Sequence, residues 1–182
     1  RIVQAVSPSA ALAGLYQVHG NRCVILDKNS DLSARPEADA MATRMPNIML
    51  GILTADCVPM LLCDREAGVI GAAHAGWKGA ISGVTDSTVD AMVSLGARRD
   101  HISAAIGPCI GRASYEVDDS FIVRFMDESP ENDRFFAPHK AGHAMFDIAA
   151  YVAARLMAAD IKRIAITGQD TYAAANEYYS YR

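Results

Sequence analysis

The sequence lacks the features that characterise membrane proteins, nucleic-acid-binding proteins and repeat proteins. No apolar run approaches the roughly 20 residues of a membrane-spanning helix, so we expect no membrane association. There is no excess of basic residues either, because the formal net charge is −4, which argues against a nucleic-acid partner. Repeats, low-complexity tracts and linkers are also missing. With a length of 182 residues, this predicts a single domain spanning residues 1–182.

Cysteine is scarce, with four residues in the chain. None belongs to a C-x2-C pair of the type found in structural zinc fingers. No secretory signal is visible, so we expect reduced thiols and a cytoplasmic protein. Cys23 and Cys63 lie in strand-like runs and are predicted to be core residues. For Cys109, between Pro108 and Ile110, a packing role is favoured over a reactive thiol.

The hydrophobic pattern predicts an α+β fold with mixed sheets, because short Val- and Ile-rich runs outnumber amphipathic segments. Asp119 and Asp147 are acidic N-cap candidates, and Gly96 is a candidate helix stop. Strands are predicted at residues 22–27, 47–54, 58–63, 69–74, 101–106 and 163–167, and helices at residues 80–95, 119–126 and 147–159.

Three short segments each carry one metal-capable side chain beside small or turn-forming residues. They are QVHG with His19, TADC with Cys57 and AHAGWKG with His74. Two imidazoles and one thiolate suit zinc with one coordination position open, which is typical of a catalytic site. Taken singly, each residue has a more common explanation, as a turn, a satisfied core histidine or a buried apolar cysteine. Their wide spacing predicts delivery by separate elements around a pocket.

The residues after His74 offer a candidate anion site. Gly76 and Gly79 let the backbone approach a ligand, Lys78 supplies a positive charge, and a helix is predicted to start there. The alternative is a simple glycine turn with a solvated lysine. Trp77 is compatible with stacking on a purine base, although burial in the core is the more common use.

Five motifs occur in a characteristic order from about Val18 to Arg182. They are QVHG, TADCVPMLL, AAHAGWKG, IGPCIG followed by YEV, and the closing SYR. This series resembles the polyphenol-oxidase or "laccase-domain" family of multifunctional purine nucleoside enzymes, some of which are named peptidoglycan editing factors. The resemblance implies an α/β/β/α arrangement, with zinc held by His19, Cys57 and His74.

The same resemblance implies further site residues and shows where this chain departs from the family. Asp39 matches an acidic residue in the motif ADA, and Arg182 closes the SYR motif. Family members commonly have Arg where Lys78 stands, and often Cys where Asp170 stands. They usually also have a segment before QVHG and a tail after SYR, so we expect this chain to be a trimmed form.

The implied activity is zinc-dependent phosphorolysis of adenosine, inosine and methylthioadenosine to the base and ribose 1-phosphate or its methylthio analogue. Hydrolytic deamination of adenosine is implied as well. Catalytic roles fall to Asp56, Cys57 and His74, with Asp56 as the first candidate proton carrier and Asp39 as the second. The expected partners are purine nucleosides and phosphate, and the expected state is a monomer or homodimer.

Three alternatives stay open at this point. A copper-binding polyphenol oxidase, with Cu²⁺ at the same ligands and Met60 as an axial ligand, is opposed by a total of five histidines. A Cys-His hydrolase with Cys57 as nucleophile leaves His19 idle. A peptidoglycan-editing factor acting in cell-wall synthesis would use the metal structurally, with His139 or His143 as fourth ligand, although both are predicted to face solvent.

Overall fold

The computed structural model describes residues 2–182 and has the predicted α+β fold, with helices packed on mixed β-sheets. Its helices and strands are short and follow one another through tight loops. In chain order they are α1 (Ile2–Val6), β1 (Ala11–Ala13), β2 (Cys23–Leu26), β3 (Ala40–Thr43), β4 (Ile48–Leu50), β5 (Val58–Asp64), β6 (Val69–Ala75), α2 (Trp77–Ile81), α3 (Val84–Ser94), β7 (Ser103–Ile106), β8 (Glu116–Asp118), α4 (Asp119–Glu128), β9 (Phe136–Pro138), β10 (His143–Phe146), α5 (Ile148–Ala158) and β11 (Arg163–Ile166).

A six-stranded sheet forms the centre of the fold, in the order β11-β7-β5-β6-β3-β2. The outer pairs β11-β7 and β3-β2 are parallel, and the inner pairs are antiparallel. Strands β5 and β6 run side by side over their full lengths, with Pro59 opposite His74 and Val58 opposite Ala75. This register brings the start of β5, next to Cys57, beside the end of β6, where His74 lies.

One face of this sheet carries the main core. Val58, Met60 and Leu62 alternate along β5 and are buried, as expected when successive side chains point to opposite faces. Helices α3 and α5 pack on this face, with Met92 and Leu156 fully buried. The predicted strand and helix patterns at residues 58–63, 69–74 and 147–159 therefore correspond to real elements.

The opposite face is covered only in part by the residues that the structure describes. Beside β2 and β3, the parallel pair β1-β4 and its loops form a second core that contains Leu15, Leu26 and Met41. Beside β5 and β7, Leu61 is 56% exposed and its neighbour Ala105 is also exposed. The covered half brings the loop that contains His19 to the end of β6.

The prediction of one continuous helix over residues 80–95 is wrong, because the chain forms two helices there, α2 and α3. Gly83 interrupts it with a φ of 93°, in the left-handed region that favours glycine. Helix α3 then ends at Ser94, followed by Gly96 with φ 100°, which confirms the predicted stop. Two predicted strands are also shorter than expected, since β4 covers only Ile48–Leu50 and β7 begins at Ser103.

Some elements were missed or shifted in the sequence prediction. Strand β3 is rich in Ala, Met and Thr, so it lacks the Val and Ile signal, yet all of its residues are buried. The small sheet β8-β10-β9 was also missed. The cap of α4 is Asp118, which accepts the N–H of Phe121, and not the predicted Asp119. Asp147 caps α5 as predicted, accepting the N–H of Ala150 at 2.9 Å.

The predicted packing of Cys23 and Cys109 is confirmed, because Cys109 is buried in the main core and half-buried Cys23 packs against it. The prediction that Cys63 is a core residue is wrong, because Cys63 is half-buried in β5 on the sheet face of exposed Leu61 and belongs to neither core. Burial raises the pKa of Cys109 to about 12, which is opposite to the activation that a reactive thiol needs.

Within residues 2–182, every helix is too short or too polar to cross a membrane.

Candidate metal centre and pocket

The three predicted ligands come together at one end of the central sheet. His19 lies in the loop after β1, Cys57 immediately precedes β5, and His74 lies near the end of β6. Their ligand atoms all lie within 4.8 Å of one another. The two imidazole rings meet edge to face, with centroids 4.8 Å apart. Three residues that are distant in the sequence thus converge on one point.

Asp39 organises this cluster from beneath. Its carboxylate accepts the backbone N–H groups of Val18, His19 and Gly20 at 3.2, 2.9 and 2.6 Å. These bonds hold His19 in a left-handed conformation, with φ 59°, which costs an ordinary residue about 1–3 kcal/mol. The same carboxylate contacts His74 Nδ1 at 2.8 Å. One buried residue therefore orients both histidine ligands.

The protonation of this pair follows from its contacts. Burial opposes ionisation of Asp39, but the hydrogen bonds from His74 and the backbone N–H groups outweigh it and lower the carboxyl pKa. Burial also lowers the pKa of His74 despite its carboxylate partner. A neutral His74 next to an ionised Asp39 donates from Nδ1, so its Nε2 is the nitrogen available to a metal. Such carboxylate–histidine pairs are typical supports of metal ligands.

Cys57 is half-buried. Burial, followed by the negative charges of Asp56 and Asp39, raises its pKa to about 11. The thiol is therefore protonated at neutral pH unless a cation binds. This environment suits a metal ligand better than a free nucleophile, which requires a lowered pKa.

Gly76 keeps the space between two ligands free. A Cβ at this position would lie 2.7 Å from His19 Cδ2 and 3.1 Å from Cys57 Sγ. The backbone of Gly76 has φ −68° and ψ 163°, which any residue adopts. The glycine is therefore required by the close approach of the two ligands and not by backbone conformation.

The donor set fits a zinc ion with one open position. Copper with the same three ligands would be expected to have a distant axial methionine, and Met60 was the candidate. Met60 is fully buried, and its sulfur contacts Thr85 Oγ1 of α3 at 3.8 Å, on the face of the sheet opposite His74. Met60 is therefore not at the site, and the predicted axial ligand is wrong.

The remaining histidines lie elsewhere. His101 contacts Glu66, while His139 and His143 lie near Glu116 at the small sheet. Within residues 2–182, His19, Cys57 and His74 form the one group of three or more side chains arranged to hold a metal. His139 faces solvent as expected, but the same expectation is wrong for His143, which is half-buried at the start of β10.

A pocket of about 880 Å³ opens over the ligand cluster. This volume is typical of sites for small organic ligands. Apolar side chains form much of its wall, and two cations and one carboxylate add charge. The apolar residues include Val18, Leu53, Trp77, Ile110, Tyr115 and Ile148, and the charged residues are Asp56, Lys78 and Arg182.

The glycine turn after His74 is only partly arranged as predicted. Lys78 is exposed at the pocket wall. Gly79 is buried, and a Cβ there would lie 2.6 Å from the carbonyl oxygen of Gly20, so its packing alone explains the glycine. Helix α2 has five residues and is too short to serve as an anion site by its N-terminus. Of the predicted anion site, the structure therefore supports only the positive charge of Lys78.

Trp77 combines its two predicted uses, since it packs against the core and also lines the pocket. Its ring contacts Phe121 with centroids 5.0 Å apart. The guanidinium of Arg124 and the ammonium of Lys78 lie 5.4 and 5.6 Å from the ring centroid. Both distances are within the range of cation–π attraction.

Asp56 accepts four hydrogen bonds from the last part of the chain. Oδ1 accepts the hydroxyl of Thr171 at 2.7 Å, and Oδ2 accepts the hydroxyl of Ser180 at 2.9 Å. The backbone N–H groups of Tyr181 and Arg182 complete the set at 2.7 and 3.1 Å. Burial opposes ionisation, but these bonds outweigh it and lower the pKa of Asp56.

Two residues that shape the site, Gln17 and Tyr115, were not predicted from the sequence. Gln17 exchanges two hydrogen bonds with the backbone of Leu53, at 2.7 and 2.9 Å, and so joins the loops that carry His19 and Cys57. Tyr115 lies under the guanidinium of Arg182 at 5.0 Å. The motifs QVHG and YEV contain Gln17 and Tyr115, so their positions were visible, but their partners were not.

The fold and the cluster define an α+β protein with a three-ligand candidate metal centre in an open pocket. The family model described as "Multi-copper polyphenol oxidoreductase laccase" matches residues 1–182. The chain belongs to this family, which confirms the resemblance drawn from the motifs.

Similar proteins are named for nucleoside chemistry. The chain is 41% identical to a protein of Rickettsia conorii named purine nucleoside phosphorylase, over 92% of this chain and 69% of the relative. It is 33% identical to a protein of an unknown prokaryotic organism named adenosine deaminase RL5, over 80% of this chain and 58% of the relative. The crystal structure of the hypothetical protein YfiH of Bacillus licheniformis superimposes with a TM-score of 0.92 at 26% identity, covering all of this chain and 72% of that one.

Proposed function

We propose that this protein is a zinc-dependent purine nucleoside enzyme. It would cleave adenosine, inosine and methylthioadenosine with phosphate, and deaminate adenosine by hydrolysis. The observation that carries the proposal is the convergence of His19, Cys57 and His74 within 4.8 Å beneath a pocket of about 880 Å³. The names of the relatives supply the substrate class.

The chain's own residues prepare the centre in two ways. Asp39 orients His74 and holds the loop of His19, so that two imidazoles and the Cys57 sulfur face one point. Gly76 leaves the space that their approach requires. An ion held there would supply Lewis acidity, which activates water or polarises a substrate oxygen near neutral pH.

Two cations on the pocket wall favour phosphate as a co-substrate. Within residues 2–182, Lys78 has no ion-pair partner, and the guanidinium of Arg182 donates only to the carbonyl oxygen of Glu116, at 2.8 Å. Several of the guanidinium N–H groups thus stay available. Arginine and lysine are the usual ligands of phosphate oxygens. We assign phosphate binding to these two side chains.

The apolar wall suits the base and sugar of a nucleoside. Val18 and Leu53 are exposed at the rim, at 46% and 71%, and Ile110 and Ile148 lie deeper. In phosphorolysis a phosphate oxygen bonds to C1′ of the ribose while the C1′–N9 bond breaks, and the base takes a proton. In deamination water adds at C6 of adenosine and ammonia leaves, which gives inosine.

The direct test is product analysis on the full-length, zinc-loaded protein. Adenosine with phosphate should yield adenine and ribose 1-phosphate, and adenosine alone should yield inosine, both separated by chromatography. His74→Ala should abolish both reactions, because it removes a ligand and the group that Asp39 orients. Unchanged adenosine, inosine and methylthioadenosine would refute the proposal.

Lys78 permits a sharper test of the phosphate assignment. Lys78→Ala should raise the KM for phosphate in phosphorolysis while deamination, which needs no phosphate, stays comparatively intact. Arg124→Ala is a suitable control, because Arg124 also lies over the Trp77 ring but does not line the pocket. Equal losses in both reactions would show that Lys78 supports the nucleoside or the fold instead.

The same experiments separate the alternatives. An oxidase would consume oxygen with a phenolic substrate, which an oxygen electrode detects. A Cys-His hydrolase would stay active after metal removal, yet the raised pKa of Cys57 opposes that mechanism. For copper, the buried position of Met60 against α3 removes the expected axial ligand. Measurement of the metal in protein purified without added metal decides between the two ions.

A further inference from the structure

The hydrogen bonds of Asp56 tie together two distant points of the chain. Thr171 donates to one carboxylate oxygen, while Ser180, Tyr181 and Arg182 all donate to the other. Thr171 and Ser180 flank a loop that returns to the same carboxylate. Asp56 thus closes this loop and anchors the segment Ser180–Arg182 beside the pocket.

The anchored segment determines where the Arg182 side chain lies. Its guanidinium lies over the ring of Tyr115 at 5.0 Å and donates to the Glu116 carbonyl at 2.8 Å. Tyr115 and Arg182 both line the pocket over the metal cluster. The two backbone N–H groups that bind Asp56 belong to Arg182 and its neighbour Tyr181, so little chain lies between the anchor and the guanidinium.

The contacts of Asp56 do not suit a proton carrier. An ionised carboxylate offers about two acceptor positions on each oxygen; three protein donors crowd Oδ2 and Thr171 bonds to Oδ1, so at most one position is left for a substrate. A group that exchanges protons with a substrate must have an oxygen within hydrogen-bond reach of it. Asp56 reaches the pocket wall, but its carboxylate oxygens bind the last part of the chain, and this contact holds Arg182, which also lines the pocket.

We propose that Asp56 is a positioning residue that holds Ser180–Arg182 in place and so aims the Arg182 guanidinium at the phosphate in the pocket. This role replaces the proton-carrier role inferred from its place next to Cys57. The proposal rests on the proposed function for the identity of the anion, but the anchoring itself can be measured without any catalytic assay.

The anchoring is tested by amide hydrogen exchange on the full-length protein. Asp56→Asn and Ser180→Ala should each speed amide exchange at Tyr181 and Arg182 by about tenfold or more. Asp56→Asn removes the charged acceptor of these two N–H groups, and Ser180→Ala removes a hydrogen bond that holds the same carboxylate. Ser120→Ala is a matched control, because it removes a similar serine–aspartate hydrogen bond, to Asp118 at 2.7 Å, away from the pocket. Unchanged exchange in both variants would overturn the proposal, whatever reaction the protein catalyses.

The effect on phosphate is tested by steady-state kinetics and by calorimetric titration with inorganic phosphate. Asp56→Asn and Ser180→Ala should raise the phosphate KM or Kd by about tenfold, and Ser180→Ala should leave the metal content and the kcat of deamination little changed. In an Arg182→Ala background the Asp56→Asn substitution should have no further effect on phosphate, because the two residues act through one contact. Ser180→Ala serves as the milder variant if Asp56→Asn fails to fold.

Two results would contradict this role. A large fall in kcat for Asp56→Asn with an unchanged phosphate KM, and a normal Ser180→Ala, would identify Asp56 as the proton carrier. Additive effects of Asp56→Asn and Arg182→Ala on phosphate binding would show that Asp56 does not act through Arg182. If no nucleoside reacts at all while hydrogen exchange and the phosphate titration behave as expected, the proposed function fails and the positioning role stands.

Discussion

Substitution of Gly76 by alanine is the most informative perturbation of the metal centre. The new Cβ would lie 2.7 Å from His19 Cδ2 and 3.1 Å from Cys57 Sγ. Because the φ and ψ of Gly76 are ordinary for alanine, the backbone is not strained. The added methyl group therefore acts on the ligands and not on the fold.

The size of the effect follows from these distances. An ordinary carbon contact begins near 3.4 Å, so the His19 ring must retreat by about 0.7 Å, several times the deviation of about 0.2 Å that metal–ligand bonds tolerate. Because His19 is exposed, it can move without disturbing the core. We expect zinc affinity to fall by about 10- to 100-fold, as for other losses of ligand support, with stability of the metal-free protein nearly unchanged.

Competition with a chromophoric chelator measures the zinc affinity, and thermal unfolding after metal removal measures the stability. Gly14→Ala is the control, because its Cβ would meet only Arg35 Nε, at 3.9 Å. If Gly76→Ala binds zinc as tightly as the parent protein and folds normally, the three residues do not share one ion in this arrangement.

Three further outcomes are expected elsewhere in the molecule. Gln17→Ala should weaken zinc binding by about tenfold without loss of the fold, because it cuts the two hydrogen bonds to Leu53 that join the ligand loops; chelator competition measures this. Asp64→Asn should lower the free energy of unfolding in urea by about 1–3 kcal/mol at neutral pH, because the N–H of Arg98 loses its charged acceptor. The pKa of Asp64 is lowered by the N–H of Ala67 and its other donors, so its stabilisation is complete above the ordinary carboxyl pKa of 3.8 and disappears as the pH falls through the lowered folded value. Gly83→Ala should cost about 1–2 kcal/mol in the same assay, because φ is 93° there, and an unchanged midpoint would contradict the assigned strain.

The sequence by itself determined the chemistry of the candidate centre. His19, Cys57 and His74 were visible as metal ligands because thiolate and imidazole donors are properties of single residues. The strands β5 and β6 and the helix α5 were predicted for a similar reason, since apolar periodicity and the Asp147 cap are local signals. The resemblance of the ordered motifs to the family is likewise confirmed by the family model.

Local signals were misleading where packing outweighs them. Strand β3 is poor in Val and Ile and was not predicted, but β2 and β6 pair with it on either side and the two cores bury its side chains. The break at Gly83 was missed because the apolar spacing continues across it from Ile81 to Val84. From the sequence pattern, a glycine that continues a helix cannot be told from one that breaks it. The break at Gly83 is visible only once α2 and α3 are placed on the sheet.

Only the tertiary structure decided which residues support the ligands and cover the pocket. Asp39 binds both the His19 loop and His74, which lies 35 residues away in the sequence. Asp56 was placed with the catalytic groups because it precedes Cys57, yet its partners Thr171 and Ser180 lie 115 and 124 residues further along the chain. A carboxylate has the same acceptor atoms in every setting, and its role depends on which donors the fold brings to it.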